Sequence, residues 1–325
     1  LAKHIGAQHT ELLITPDPLT AVDQIAAMYD EPFADSSALA THLICQAASQ
    51  HVTVALVGDG GDEVFGGYDR YRAMQLADTL SPPGYLAAKL AGWVASAIAP
   101  KHERNKLHRL ARFAQGLPLV PAMRYLSYRN LFAANDLQYL FTSDYLAGLA
   151  DSPEEAFCEQ FAECDERSDN ILEAVQRHDL ASYLPDDLLV KADIASMAHG
   201  LELRAPMLDH RIVALGLGLP PEQKIAKRQG KHLLRQAFGD LVPPCHFDSA
   251  KRGFGVPLAS WLRGPLRELM CDRLRSASFL EGPGRAFQPR ALLGLMNDHL
   301  DGTGDHAHRL WALLILEASF RRFSE

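Results

Sequence analysis

Apolar positions along the chain change their spacing near residue 75. Ahead of that point, short apolar runs alternate with helical patterns. Glu11 to Thr15 (ELLIT) is a compact run closed by Pro16 and Pro18, and it predicts a buried strand. Leu19 to Tyr29 spaces its apolar residues as a helix does, and Ser36 to Gln50 predicts a second, alanine-rich helix with Ser36 or Ser37 placed to cap its start. His51 to Val57 (HVTVALV) is β-branched and almost wholly apolar, the composition of a strand covered on both faces. Strand, helix, strand in this order implies a parallel sheet with right-handed crossovers.

Beyond Tyr71 strand signals vanish and Ala, Leu, Arg and Glu dominate. Helical stretches are separated by breaks at Ser81-Pro82-Pro83-Gly84, Pro118 to Pro121, Pro220-Pro221, Pro243-Pro244 and Gly282-Pro283-Gly284. Leu184 to His199 predicts a helix with Pro185 in its first turn, Asp186 and Asp187 favouring its N-terminal dipole, and Gly200 as its stop. Leu310, Leu313, Leu314 and Glu317 mark an amphipathic helix, and Arg321-Arg322 a charged chain end. The organisation is a partial α/β part over residues 1–75 followed by a mainly helical remainder over 76–325.

Composition places this pattern among globular proteins: of 325 residues, 47% are hydrophobic and 22% charged, enough to bury a large core. Thirty-two Lys and Arg against 40 Asp and Glu give a net charge of −8, which argues against a dedicated nucleic-acid binder. The cysteines number five, an odd count, and form no CxxC, so reduced thiols and a cytoplasmic setting are expected. The weakly polar stretch from Tyr85 to Pro100 carries Lys89 and falls short of the roughly 20 apolar residues a bilayer span needs, so no membrane partner is expected. The chain begins on Leu1, with no signal peptide at its start, and reads as a piece of something longer.

The candidate chemistry sits in Val57-Gly58-Asp59-Gly60-Gly61-Asp62-Glu63-Val64-Phe65-Gly66-Gly67-Tyr68, directly after the expected strand. Glycines at a strand's end let the backbone take positive φ and approach a ligand with its N–H groups turned inward. The carboxyl edge of a parallel sheet is where open α/β folds bind ligands. Asp59 and Asp62 would repel a phosphate unless a divalent cation lies between, and Mg²⁺ takes one or two carboxylates plus phosphate oxygens. The local physics therefore proposes a magnesium–polyphosphate site, with one carboxylate left for acid–base work. The plainer alternative is a tight turn whose acids cap the next helix.

This stretch, extended to Arg70 and Tyr71, resembles the signature of the synthetase domain of the glutamine-hydrolysing asparagine synthetase family. Four further blocks resemble that family in order: Asp30-Glu31-Pro32-Phe33-Ala34-Asp35-Ser36-Ser37, Tyr183 to Asp193, Leu201 to His210, and Ala250-Lys251-Arg252-Gly253-Phe254-Gly255-Val256-Pro257. The resemblance implies a fold of the adenine-nucleotide α-hydrolase (PP-loop ATPase) type. It also implies ATP-dependent amidation of aspartate through a β-aspartyl-AMP intermediate, with ATP, Mg²⁺, aspartate and ammonia as ligands. By position in the motifs, Asp62 holds the metal and pyrophosphate, and Asp59 is the base near the reacting centre. Val57, Gly58, Gly60, Gly61 and Arg204 meet the nucleotide, and Lys251 is a catalytic cation on a loop hinged at Gly253 and Gly255.

Read on their own surroundings, Arg204 suits an ion pair with Glu202 or Asp209 as well as a ligand, and Lys191 and Asp193 fasten their helix more readily than they serve a site. His306 and His308 have no further ligand-type residue at metal-binding spacing.

The chain departs from the family pattern in several places. No Ser-Gly-Gly-x-Asp-Ser pyrophosphate loop occurs, and the glutaminase domain with its nucleophilic cysteine is absent from these residues. Val57 stands where Ser is frequent, and Ile194 where a basic residue is common. Little turnover is therefore expected of these residues alone, with the glutaminase domain as a partner in the full-length protein and a homodimer left open. An amide ligase acting on another carboxylate, or a non-catalytic module, are the competing readings.

Overall fold

The computed structural model describes residues 1–98, 106–149, 152–227, 229–243 and 255–324. Helix α1 (Pro18–Met28) starts where the sequence places it: Asp17 accepts the Leu19 N–H at 3.1 Å, and Pro18 needs no donor in the first turn. Its stripe of Ala21, Val22, Ile25 and Ala26 is buried. Helix α2 (Ser37–Ser49) also forms as expected, but neither serine caps it with its side chain. The Asp35 carboxylate does so instead, accepting from the Ser37 N–H at 2.9 Å and the Ser37 hydroxyl at 2.8 Å, a charge-assisted cap.

The strand expected at Glu11–Thr15 does not form; Leu12 is 42% and Leu13 96% exposed. An extended apolar run becomes a strand only when a neighbour takes up its backbone groups. Among the described residues the sheet pairs other segments. Of the strand expected over His51–Val57, only β1 (Val54–Leu56) forms. It runs parallel to β2 (Glu202–Arg204), with Val54 opposite Glu202 and Leu56 opposite Arg204. The parallel pairing agrees with expectation. The partner does not, because three residues carrying two charges give no apolar run to read. Nor is β1 covered on both faces, since Leu56 is 74% exposed.

The fold is therefore a mostly helical α/β one with a small parallel sheet. After β1 come α3 (Gly61–Phe65), α4 (Asp69–Thr79), α5 (Pro82–Ile98), α6 (Lys106–Gly116), α7 (Pro121–Arg129), α8 (Ala134–Leu140), α9 (Ser143–Ala147), α10 (Pro153–Asp165) and α11 (Ile171–Ala181). The helix expected over Leu184–His199 is a π-helical stretch, Leu184–Leu189, running into α12 (Val190–Met197). Past β2 lie α13 (His210–Gly218), α14 (Pro221–Lys224), α15 (His232–Ala237), α16 (Leu258–Arg263), α17 (Arg267–Leu274), α18 (Ala277–Glu281), α19 (Pro289–Leu300) and α20 (Ala307–Ser324).

Two cores hold these elements. The larger joins both ends of the chain: α1 and α2 pack with α16 to α20 through Ile25, Leu39, Leu262, Trp311 and Leu314. The second lies among α4, α7, α10 and α11 and centres on Tyr71, Met74, Tyr125, Phe161 and Val175. Arg321 and Arg322 are more than a charged chain end. Arg321 donates to Asp23 at 2.6 Å, Arg322 donates to the carbonyls of Ala26 and Tyr29, and Arg273 grips Asp23 with two bonds of 2.7 Å. Those bonds hold the Asp23 carboxyl below its ordinary range, the hydrogen bond from Arg273 contributing most. Among the described residues no helix is long and apolar enough to cross a membrane.

Two substitutions separate the observed packing from the strand predicted for ELLIT. Leu314→Ala is expected to cost about 2–5 kcal/mol in urea denaturation, by opening a cavity in the larger core. Leu13→Ser should change stability by less than about 0.5 kcal/mol, a result a buried strand residue would not give.

Candidate functional site

The signature stretch folds as a turn at the end of β1 that leads into α3. The Val57 N–H donates to the Arg204 carbonyl at 2.9 Å, carrying the β1–β2 ladder one residue further. The Gly58 carbonyl then accepts the Gly61 N–H at 3.2 Å, closing the turn. Gly60 has φ 83°, and a Cβ there would run into the Leu208 side chain, so only glycine fits. Gly67 serves a different purpose: its missing Cβ leaves the space that the Asp62 carboxylate and the Lys231 stem occupy.

The two aspartates end in different surroundings. Asp59 is half-buried, and burial raises its carboxyl above the ordinary range, a shift partly opposed by the charge of Lys191. A carboxylate made more basic in this way suits accepting a proton. Asp62 faces Lys231, whose ammonium stands 3.3 Å from its Oδ1. Lys231 was not singled out from the sequence. Its backbone is left-handed, with φ 57°, an uncommon and strained conformation for a residue other than glycine. It is held there by its N–H, which donates to the Phe65 carbonyl at 3.0 Å, while Gly230 lies against the carbonyl of Gly66. The available signal was a Gly-Lys pair ahead of a short helix, too common to notice alone.

Glu63, the third acid, is structural. It is buried, its carboxylate accepts the Tyr68 hydroxyl at 2.5 Å, and burial pushes its carboxyl up. Below it the Gln176 amide donates to the carbonyls of Glu63 and Val64 at 2.6 and 2.9 Å. The Lys224 ammonium, itself buried and lowered by that burial to about 8, donates to the Gln176 amide oxygen at 2.8 Å. Arg70 lies over the Tyr68 ring and reaches the buried Asp179 at 2.8 Å.

Lys191 fastens α12 to the start of α2. Its ammonium donates to Asp35 at 2.6 Å and to the Ser37 hydroxyl at 2.9 Å, while its charge is felt at Asp59. Asp35 in turn lines a cleft of about 480 Å³ with Phe33, Leu131, Tyr183, Asp187 and His308. Burial, and then the charge of Asp35, push the Asp187 carboxyl up to about 6. Asp35 itself stays below its ordinary range, burial being outweighed by Lys191 and the Ser37 bonds. This cleft and its carboxylates were missed as a site, although both aspartates lie in blocks noticed for other reasons.

The remaining expected residues fare unevenly. Arg204 forms the ion pair with Glu202, at 2.7 Å and exposed, and not with Asp209, which binds Arg211. Lys251 and the rest of 244–254 lie outside the described residues. His306 donates its backbone N–H to His299, and no group of three or more metal-ligating side chains occurs among the described residues. The turn's lining does not fit a metal held by protein groups alone; a Mg²⁺ at Asp62 would take its other ligands from phosphate oxygens.

The chain matches the asparagine synthase family model over residues 1–321. It is similar to a putative glutamine-hydrolysing asparagine synthetase of Mycobacterium tuberculosis, 31% identical over 97% of this chain and 46% of that protein. A glutamine-hydrolysing asparagine synthetase of Bacillus subtilis is 29% identical over 97% of this chain and 48% of its own length. The human protein of that name is 52% identical over a short stretch of 58 residues, 17% of this chain and 10% of its own. The chain thus spans about half the length of the relatives it matches along its whole extent.

The raised Asp187 carboxyl has a signed consequence. Its folded value lies above the unfolded one near 4, so its contribution to stability is present below pH 4 and lost as pH rises through about 6. Asp187→Asn is therefore expected to gain about 1–2 kcal/mol over the unsubstituted chain at pH 8 and almost nothing at pH 4, read from urea denaturation at both.

Proposed function

The chain belongs to the asparagine synthase family, and from that premise we propose that it is the synthetase part of an enzyme that amidates aspartate with ATP and ammonia. The observation that carries this reading is the pair of aspartates on one glycine turn, one made basic by burial and the other facing a lysine. In the proposed first step a side-chain carboxylate oxygen of the substrate attacks the α-phosphorus of ATP, and pyrophosphate leaves. In the second, ammonia attacks the activated acyl carbon, AMP leaves with the acyl bond's electron pair, and Asp59 accepts the proton released from nitrogen. Bound with the nucleotide, Mg²⁺ supplies neutralisation of the pyrophosphate charge. Asp62 is the residue proposed to hold it, with Lys231 as a second, fixed cation for the same oxygens.

The turn's N–H groups, with Val57, Gly58, Gly60, Gly61 and Arg204, are proposed to line the nucleotide, and Lys251 to stabilise charge in the transition state. The acidic lining of the cleft, Asp35 and Asp187, suits the ammonium end of an amino acid. Residues 1–75 are proposed as the partial nucleotide-binding α/β part and 76–325 as the mainly helical remainder of the same synthetase domain, of PP-loop ATPase type and cytoplasmic. A glutaminase domain as ammonia source and a homodimer belong to the same proposal. For these 325 residues alone, which hold no Ser-Gly-Gly-x-Asp-Ser, weak nucleotide binding is proposed. An amidase of Gibberella zeae, 28% identical over 76% of this chain, favours a second reading in which the same site handles another carboxylate.

The full-length gene product tests both. Pyrophosphate release on adding ATP, Mg²⁺ and aspartate supports the first reading; release only with another acid from a panel supports the second. Asp59→Asn is expected to slow amide formation by about 100-fold or more while pyrophosphate release falls far less, as loss of a base should. Asp62→Asn should raise the magnesium needed for pyrophosphate release, and Lys231→Met should slow that release by roughly 10-fold or more. Equal loss of both half-reactions in Asp59→Asn contradicts the role given to that residue.

A further inference from the structure

We propose that the hairpin of α5 and α6 docks on an anionic lipid surface, with the outer face of α5 lying at the boundary of headgroups and acyl chains. Along that face Leu86, Leu90, Trp93, Val94 and Ile98 follow helical spacing and are 60%, 59%, 73%, 48% and 63% exposed. The gaps between them are filled by Ala87, Ala91 and Ala97, all exposed, so no polar side chain interrupts the stripe over four turns. Single exposed apolar residues are ordinary; a continuous stripe with an exposed tryptophan at its centre is not. The opposite face is spent on α6: Gly92 and Ala95 are buried, and a Cβ on Gly92 would strike Ala114. Pinned in this way, α5 can lie flat on a surface, and at 17 residues it is shorter than a bilayer span.

Charge selects the occupant. The two helices carry Lys89, Lys106, Arg109 and Arg112 and no acidic residue, in a chain whose net charge is −8; Arg109 pairs with Asp69 of α4 at 3.1 Å. From residue 79 to 135 the sequence holds eight Lys and Arg against the single acid Glu103. The overall acidity of the chain thus conceals a local excess of positive charge around the apolar stripe, and a stretch too short to span a bilayer can still lie on one. A second copy of the chain would bring the same positive charge to the contact and be repelled. Anionic headgroups bring the opposite sign, and a basic rim beside an inserted apolar face is how amphipathic helices hold to such surfaces. Among the described residues, nothing covers the stripe.

The test is flotation of the full chain with vesicles of phosphatidylcholine alone or with about 30% phosphatidylglycerol. The expected result is binding to the anionic vesicles, a blue shift of tryptophan emission, and at least tenfold weaker binding to the neutral ones. Raising salt from roughly 0.05 to 0.5 M should weaken binding by at least tenfold, as should Leu90→Glu, Trp93→Glu and Lys106→Glu. All three positions are exposed, so the thermal midpoint should stay within a few degrees. No binding to anionic vesicles overturns the proposal, as does binding that Leu90→Glu leaves unchanged. A solution dimer dispersed by Leu90→Glu, without vesicle binding, assigns the stripe to a second copy and overturns it equally.

Discussion

The carboxylate of Asp179 has no exposure to water, so the surrounding chain must neutralise it, and the way it does so sets the geometry beneath the signature turn. Removing a charge from water costs several kcal/mol unless partners are well placed. Here Arg70 donates at 2.8 Å and Arg129 at 3.3 Å, while the hydroxyls of Tyr71 and Tyr125 donate at 2.7 and 2.5 Å. Burial, which would raise the carboxyl, is outweighed first by His178 and then by the charges of Arg70 and Arg129 and the Tyr125 hydroxyl, which hold it well below its ordinary range. They also bring α4, α7 and α11 together at one point. Arg70, once fixed on Asp179, lies over the rings of Tyr68 and Tyr183, and Tyr68 in turn bonds Glu63 inside α3. Three residues before Asp179, on the same face of α11, Gln176 takes the carbonyls of Glu63 and Val64. One helix thus grips the signature turn from below at two points, one ionic and one neutral.

That arrangement explains what was legible in the sequence and what was not. α1, α2 and α12 are local matters of cap, stripe and stop, and they could be read from neighbouring residues. ELLIT could not, because a strand depends on what lies beside it rather than on its own composition. β2 was hidden for the converse reason: Glu202 and Arg204 make it look like a loop, and its three residues pair with β1 because the backbone is there to be paired. The glycine turn was legible as a place where backbone meets ligand. The division of labour among its acids was not, since Glu63 faces Tyr68 and Gln176 only through contacts 5 and 113 residues away. Lys231 and the Asp35–Asp187 cleft escaped for the same reason: each becomes visible only when segments far apart in sequence are set side by side.

The same distance in sequence places one cation among three carboxylates. Lys191 bonds Asp35, and its charge opposes the burial that raises Asp59 and Asp187. One ammonium, joined at Asp187 by the charge of Arg129, does not offset the burial of all three carboxylates. Asp35, with two Ser37 bonds added to its lysine, keeps its charge most easily, so the excess falls on the other two. Asp59 and Asp187, on segments far apart in sequence, are thus the two carboxyls that burial keeps raised, and Lys191, with Arg129 acting on Asp187 as well, offsets that burial only in part.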